Sequence, residues 1–336
     1  MRSLARLLCA ALVLVGCANN LPDGNHPQPA ALADPPRRPG KALVLVAMPD
    51  STSFRTVRRA LVDEIKKDFD VVTQIVDAHT DPATFGSRVD AAHPNCLVLM
   101  DNPTVKLYRA YQKAHQGPPL PAVVVMSSFL EELRGDLPNT SGVAYEVPGV
   151  TAFVNLRSVI EKPVARVGVL HRPSFRRFVE RQKALAAKEQ ITVLPVEVPS
   201  EPTSSDVRAA LRSFHGAGQI DALWVLNDNQ LLRDGGFLET VWRPEIASLG
   251  VPVVVGVPTL VSAEARFGTF AVLPDLEPMG VQAANVLFEI SENGWKAGEH
   301  PVELPVSTVT VVNMRQVKQH FGLREGAARR IDKVIE

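Results

Sequence analysis

The sequence is poor in cysteine and carries no excess charge of either sign. Three cysteines occur in 336 residues, and because Cys9 and Cys17 lie near the N-terminus, Cys96 has no partner for a disulfide in the remaining chain. Lysine plus arginine and aspartate plus glutamate each number 36. A balanced chain has no electrostatic attraction to nucleic acid or to an anionic surface. The expected partner is therefore a small molecule or a protein, and no nucleic acid.

The sequence also lacks the short motifs of several enzyme classes. No P-loop and no GxGxxG pattern follows the first predicted strand at 42–47, and no serine lies in a GxSxG elbow. The histidines are dispersed without the spacing of metal ligands, and His171, at a predicted strand end, is the one nearest the predicted site. We therefore expect no catalytic residue, no cofactor and no metal site. A hydrolase or isomerase that uses carboxylates is the alternative from this class.

The first 40 residues have the pattern of an export signal and a tether. Arg2 and Arg6 precede an apolar run at 7–15 that is too short to span a bilayer. Residues 14–17, Leu-Val-Gly-Cys, resemble the bacterial lipoprotein box, which implies cleavage before Cys17 and acylation of that residue. The alternative is an ordinary signal peptide with Cys17 as an incidental thiol. The proline-rich segment 18–40 is expected to be an extended tether.

The resemblance to the lipoprotein box also implies a cellular location. Attached acyl chains imply an exported protein that is anchored in the cell envelope on the periplasmic face, because several chains hold a protein on a membrane far better than one. The residue after Cys17 is alanine rather than aspartate, and aspartate there resembles a retention signal for the inner membrane. In a Gram-negative organism, the outer membrane is therefore favoured.

From residue 41 the sequence alternates apolar runs with helical patterns. Such alternation predicts parallel sheets flanked by helices, and 46% apolar residues suffice for the two cores that 336 residues favour. The pattern starts again after about 125 residues, a period far too long for a solenoid. The fold class is therefore predicted to be α/β with two Rossmann-like lobes joined by a hinge, first crossed at 142–148. The matching predicted strands are 42–47, 71–76, 97–100 and 122–126 in the first half, and 165–170, 191–196, 222–226 and 251–255 in the second.

Small polar residues follow several predicted strands, and in parallel sheets ligands bind just beyond the carboxyl ends of the strands. Carboxylates and amides at these tips can bind the ammonium and carboxylate groups of a small ligand. Asp228 is assigned the ammonium contact. The alternative is that these residues cap the helices that follow. The candidates at strand tips are Asp101, Asn102, Thr104, Ser127 and Ser128 in the first lobe, and Asn227, Asp228 and Asn229 in the second.

Four further candidates lie near the predicted hinge and helix starts. Ser51 begins a helix, where backbone N–H groups attract a carboxylate. Tyr145, in the first crossing, can stack on a ligand ring, or it can pack between crossings. Pro258 and Asp275 lie after the last repeated strand and at the start of a late helix.

Four segments, in their order and spacing, resemble one family. The family is that of the ABC-transporter substrate-binding lipoproteins of the type I periplasmic-binding fold, in the branch associated with tryptophan and tyrosine uptake. The resemblance spans 42–323. The segments that carry it are 141–145 (SGVAY), 164–170 (VARVGVL), 227–229 (NDN), and 304–306 (LPV) through Asn313 to 322–323 (GL).

The resemblance implies a function and a division into lobes. The first lobe would be 41–144 with 274–298, and the second 145–273 with 299–336. The protein would capture an amino-acid-like solute between the lobes and present it to an ABC permease. Residues 256–259 (GVPT) replace a cluster that is usually acidic or hydroxylic in the family. A ligand other than an aromatic amino acid therefore remains an alternative. The alternative role is that of an envelope sensor or interaction lipoprotein.

Overall fold

The computed structural model describes residues Asp34, Pro36, Arg38 and 40–336, apart from 217, 218, 263, 264 and 266. The predicted signal peptide at 1–17, with Cys17, and most of the predicted tether at 18–40 lie outside the described residues. Within the described part of the chain, no helix is both long enough and apolar enough to cross a membrane.

Among the described residues, thirteen strands form two sheets. They are β1 (Ala42–Met48), β2 (Phe69–Ile75), β3 (Cys96–Met100), β4 (Ala122–Val125), β5 (Thr140–Val143), β6 (Arg166–His171), β7 (Thr192–Glu197), β8 (Ala222–Val225), β9 (Val253–Val255), β10 (Phe270–Pro274), β11 (Val302–Glu303), β12 (Thr308–Asn313) and β13 (Lys333–Ile335). The first sheet has the order β11-β5-β4-β3-β1-β2, and the second has the order β13-β12-β10-β9-β8-β6-β7. All neighbours are parallel except β10 and β12.

Helices cover the faces of both sheets, because each strand run is apolar on both sides. Successive side chains of β1 point to opposite faces: Val44 and Val46 belong to one buried cluster, and Leu45 and Ala47 belong to another. Both faces are therefore buried, as in parallel sheets generally. The helices are α1 (Thr52–Ile65), α2 (Pro82–Ala92), α3 (Asn102–Ala114), α4 (Leu130–Leu133), α5 (Gly149–Val159), α6 (Arg176–Ala187), α7 (Ser204–Arg212), α8 (Gly235–Phe237), α9 (Arg243–Leu249), α10 (Leu276–Glu292) and α11 (Met314–Gln316).

In the part of the chain that the structure describes, there are three passages between the two sheets: after β5, after β10 and after β11. The second passage places α10 against α1, where Gly280 permits close contact because a Cβ there would lie 2.4 Å from the Val57 carbonyl oxygen. The third passage lies at 304–307 rather than at the predicted boundary after 298. The reason is that β11 hydrogen-bonds to β5 and so keeps 302–303 in the first sheet. The predicted α/β class with two helix-flanked parallel sheets is confirmed.

Candidate functional site

The polar residues at the strand tips of the first lobe bond mainly to each other. Asp101, with φ of 82°, caps α3 by accepting a hydrogen bond from the Thr104 amide at 2.8 Å. Burial raises the pKa of Asp101 to about 6. Asn102 Oδ1 accepts from Ser127 Oγ at 2.6 Å and from the Ser128 amide at 2.7 Å. The Asp101 contact matches the capping alternative, whereas the Asn102 contacts join the tips of β3 and β4 within one lobe.

Asp228 does not present a free charge to the cleft. It is 1% exposed, and its carboxylate accepts two hydrogen bonds from Arg172, at 2.6 and 2.8 Å. Its Oδ1 also accepts from the Gln230 amide at 2.9 Å. Arg172 follows β6, which neighbours β8, so the ion pair joins two adjacent strand tips. The charge predicted for a ligand ammonium is therefore already compensated within the protein, while Asn229 is exposed.

An outer cavity of about 340 Å³ lies between the start of α1 and the second lobe, and it contains three of the four hinge candidates. Tyr145, Pro258 and Asp275 line it directly. Ser51 is the N-cap residue of α1, but its buried Oγ makes no hydrogen bond within the protein. The other lining residues are Thr52, Ser53, Thr56, Leu273, Pro274, Leu276, Glu277, Val309, Val311 and Lys333.

An inner cavity of about 30 Å³ adjoins the outer one and shares Tyr145 and Pro274 with it. Both lobes contribute to its wall, which is mainly apolar and aromatic. Its polar side chains are Glu146, in the first hinge passage, and Asn227, after β8. The aromatic lining residues are Phe129, Tyr145, Phe178 and Trp224.

Glu146 brings a buried carboxyl group to the inner cavity. Its Oε2 accepts a hydrogen bond from the Phe129 amide at 2.8 Å, whereas its Oε1 is out of contact with solvent and has no hydrogen-bond partner in the protein. Burial raises the pKa of Glu146 to about 7, and the Phe129 amide and the Ser128 side chain offset only part of that shift. The group is therefore poised to ionise near neutrality if a cation or donor comes close.

Asn227 supplies a second acceptor without a donor. It is 8% exposed, and its Nδ2 donates to the Gly256 carbonyl at 3.3 Å, which orients Oδ1 away from that bond. Oδ1 is buried and has no partner in the protein. Gly256 makes room for the amide, because a Cβ there would lie 2.7 Å from Oδ1. Two unpaired acceptors thus line one small cavity. Buried acceptors without partners lower the stability of the folded protein unless a bound group donates hydrogen bonds to them.

Contacts between the lobes enclose the inner cavity. Phe129, which follows the first-lobe strand β4, has φ of 59° and belongs to a buried cluster of the second lobe. Its ring lies 4.2 Å from that of Phe175 and 5.1 Å from that of Phe178. Glu132 and Arg181 form an ion pair from α4 to α6. The lobes therefore touch in this structure.

Sequence analysis singled out Asn227 and Tyr145 but missed Glu146, Trp224 and Phe129. An acidic residue within the apolar hinge segment 142–148 was the available signal for Glu146. Among the described residues, one group holds three potential metal ligands close together: Glu289, His300 and Glu303. That group lines neither cavity.

No family model matches the chain, and no curated protein matches it. Solved structures resemble it in fold. A conserved domain protein from Vibrio cholerae is 20% identical, with a TM-score of 0.59 over 88% of this chain and 99% of its own. The ligand-free, open structure of a substrate binding protein with adhesive properties from Clostridium difficile is 18% identical, with a TM-score of 0.62 over 88% and 99%. An ABC domain in complex with L-Trp from Streptococcus pneumonia is 17% identical, with a TM-score of 0.56 over 87% and 100%.

These likenesses cover nearly the whole length of the solved structures, so the two-lobed arrangement is shared from end to end. At such low identity they establish the fold alone. One of these proteins is described as a substrate binding protein and another holds L-Trp. The shared fold is thus one that solute-binding proteins use, and a fold by itself does not fix the ligand.

Proposed function

We propose that the protein is a solute-binding protein that captures a small amino-acid-like molecule between its lobes and performs no chemistry on it. The observation that carries this proposal is the pair of unpaired buried acceptors, Glu146 Oε1 and Asn227 Oδ1, in one aromatic-lined cavity. A primary ammonium donates three hydrogen bonds and accepts none, so it complements both atoms.

The sizes of the two cavities fit the two parts of such a ligand. About 30 Å³ holds a group the size of one or two waters, which an ammonium resembles. The outer cavity, at about 340 Å³, is in the size range of small-molecule pockets. Thr52 and Ser53 line the outer cavity at the N-terminus of α1, where backbone N–H groups attract a carboxylate. The ammonium would enter the inner cavity, and the body and carboxylate would occupy the outer one.

The hinge supplies the motion that this binding mode needs. The three passages between the sheets can bend while each lobe stays rigid. Because Phe129 reaches from the first lobe into the second, the lobes must part before a ligand enters the inner cavity. A ligand that bridges both lobes then favours the closed form. That form would be presented to an ABC permease, in line with the family resemblance.

Native mass spectrometry of protein purified without refolding tests the proposal, followed by calorimetry with L-Trp, other amino acids and simple aromatic amines. We expect at least one amine-bearing compound to bind with a stoichiometry of one. Small-angle scattering should show no expansion once that compound is bound. Failure of every amine, together with tight binding of a compound that has no N–H donor, would contradict the proposed ligand class.

Replacing Asn227 by alanine should weaken ligand binding about tenfold and lower stability only slightly. A hydrogen bond to a charged group contributes roughly 1.5 kcal/mol, which corresponds to such a factor. In the free protein Oδ1 has no donor to lose, and the substitution removes only the long hydrogen bond from Nδ2 to the Gly256 carbonyl, at 3.3 Å. Calorimetry and thermal unfolding measure the two effects separately. Asn229→Ala is the matched control, because Asn229 is exposed and lines neither cavity. Equal losses in both variants would exclude Asn227 as a ligand contact.

We also propose that Cys17 anchors the protein to a membrane of the cell envelope. The support is the Leu-Val-Gly-Cys sequence at 14–17, the apolar run before it and the proline-rich segment after it. Cys17→Ser should leave the chain unprocessed or release it from the membrane. Detergent partitioning of cell fractions measures this, with Cys9→Ser as the control. Unchanged partitioning of the Cys17 variant would rule the anchor out.

A further inference from the structure

Glu289, His300 and Glu303 lie together at the edge of the first sheet, outside the ligand cleft. Glu289 is on α10, His300 precedes β11, and Glu303 ends it. His300 Nε2 is 2.9 Å from Glu289 Oε2 and 3.8 Å from Glu303 Oε1. One ligand atom from each residue lies within 4.8 Å of the others.

The surroundings of the other ring nitrogen decide the tautomer of His300. Nδ1 is 2.7 Å from the Pro301 carbonyl oxygen and 3.3 Å from Ser141 Oγ. Ser141 Oγ donates its own hydrogen to the same carbonyl, at 2.7 Å. Both neighbours of Nδ1 therefore act as acceptors, so Nδ1 must carry the hydrogen.

A neutral ring with hydrogen on Nδ1 directs the lone pair of Nε2 at two carboxylates. That arrangement is repulsive unless a positive group lies between them. A divalent metal ion between Nε2 and the two carboxylate oxygens supplies such a group, and the three ligand atoms lie within 4.8 Å of one another.

We propose that Glu289, His300 and Glu303 bind a divalent transition metal ion, with Zn²⁺ as the best match. One imidazole and two carboxylates are ordinary zinc ligands, with a fourth position for water. A metal-bound histidine commonly donates its other ring N–H to a backbone carbonyl, as His300 does to Pro301. Ligand bonds of about 2.0 to 2.2 Å place tetrahedral ligand atoms about 3.3 Å apart. Glu303 Oε1 must therefore move closer to His300 Nε2 and Glu289 Oε2 slightly away from it.

Supporting contacts orient Glu303 and connect the metal site to the hinge. Gln282 Nε2 donates to Glu303 Oε2 at 2.6 Å, which leaves Oε1 directed toward His300. The same nitrogen donates to the Leu304 carbonyl at 2.9 Å, and Gln282 Oε1 accepts from the Val306 amide at 3.2 Å. A bound ion would therefore fasten β11 and the third hinge passage to α10.

Calorimetric titration of the purified protein with Zn²⁺ tests the site, with thermal unfolding in parallel. We expect one ion per chain and a higher unfolding temperature at saturating Zn²⁺. Glu289→Gln and His300→Gln should each weaken binding by at least about tenfold. Glu289 has a side chain that is 61% exposed, so its variant should fold normally, which circular dichroism checks.

Glu299→Gln is the matched control, because Glu299 lies next to His300, is equally exposed and contacts Lys296 rather than the three ligands. Its Zn²⁺ affinity should equal that of the unaltered protein. Absence of Zn²⁺ binding, or equal binding by all three variants, would overturn the proposal. The three residues would then form only hydrogen bonds and ion pairs with one another.

Discussion

Replacing Arg172 by methionine should lower the free energy of unfolding by about 3 to 5 kcal/mol, because it leaves the Asp228 carboxylate buried without its counter-charge. Asp228 is 1% exposed and accepts two hydrogen bonds from the Arg172 guanidinium, which also donates one to the Ser200 carbonyl at 3.2 Å. Methionine retains apolar contact with Phe175, over whose ring the guanidinium lies at 5.3 Å. Apart from the exposed hydrogen bond to the Ser200 carbonyl, the lost stability can therefore be assigned to the charge. Urea unfolding at constant pH measures it.

Arg176→Met provides the matched control. Arg176 also makes two hydrogen bonds to one carboxylate, that of Glu197, at 2.6 and 2.7 Å, but its side chain is 62% exposed. An exposed pair contributes about 1 kcal/mol or less. If both variants lose the same stability, burial of Asp228 is not the deciding factor. If Asp228→Asn weakens ligand binding and leaves stability unchanged, the sequence-based role of Asp228 as a ligand contact is restored.

The two-lobed α/β fold was predictable because every central strand is a nearly continuous apolar run. The signal is present in the first lobe, in β1 and β3, and it occurs again in the second lobe, in β6 and β8. Strands at the sheet edges have no such signal. β11 is two residues long and only partly buried, so its place in the first sheet depends on pairing with β5 rather than on its own composition. That is why the third hinge passage was predicted too early.

The candidate site was predictable in position but not in its contacts. Sequence patterns indicate that residues follow strands, and they place Asn227 and Tyr145 at the cleft. They do not show which polar atoms already have partners. Asp228 is paired by Arg172, which lies 56 positions earlier in the chain. Glu146 stands alone in an apolar segment, and its unpaired oxygen becomes apparent only when Phe129 and Asn227 are seen around it.

Raising the pH from 5 to 8 should destabilise the ligand-free protein, and Glu146→Gln should remove roughly 2 to 3 kcal/mol of that loss. Burial raises the pKa of Glu146 from an ordinary 4.5 to about 7. Between those values the folded protein keeps a proton that the unfolded chain releases. Stability is therefore fully present below pH 4.5, falls as the pH rises through the window, and levels off above about 7.

A second buried acid acts in the same direction and must be separated from Glu146. The pKa of Asp101 is raised by burial from 3.8 to about 6, so its contribution is lost between those values. Asp101→Asn removes this part while keeping the helix cap, since asparagine and aspartate cap about equally well. Acids with lowered pKa, such as Asp50 and Glu197, lose their stabilising effect only as the pH falls below their ordinary values. A pH series that starts at pH 5 therefore excludes the contributions of these acids.

The proposed ligand should reverse the effect at Glu146. An ammonium beside Oε1 favours the ionised carboxylate, so binding should release a proton when it occurs below about pH 7. Calorimetry in two buffers with different ionisation enthalpies measures that release, and urea unfolding at pH 5, 6, 7 and 8 measures stability. Glu146→Gln should bind weakly at every pH, release no proton and show the shallower pH profile. A variant whose stability and affinity follow the same pH profiles as the unaltered protein would show that Glu146 neither titrates in this window nor contacts the ligand.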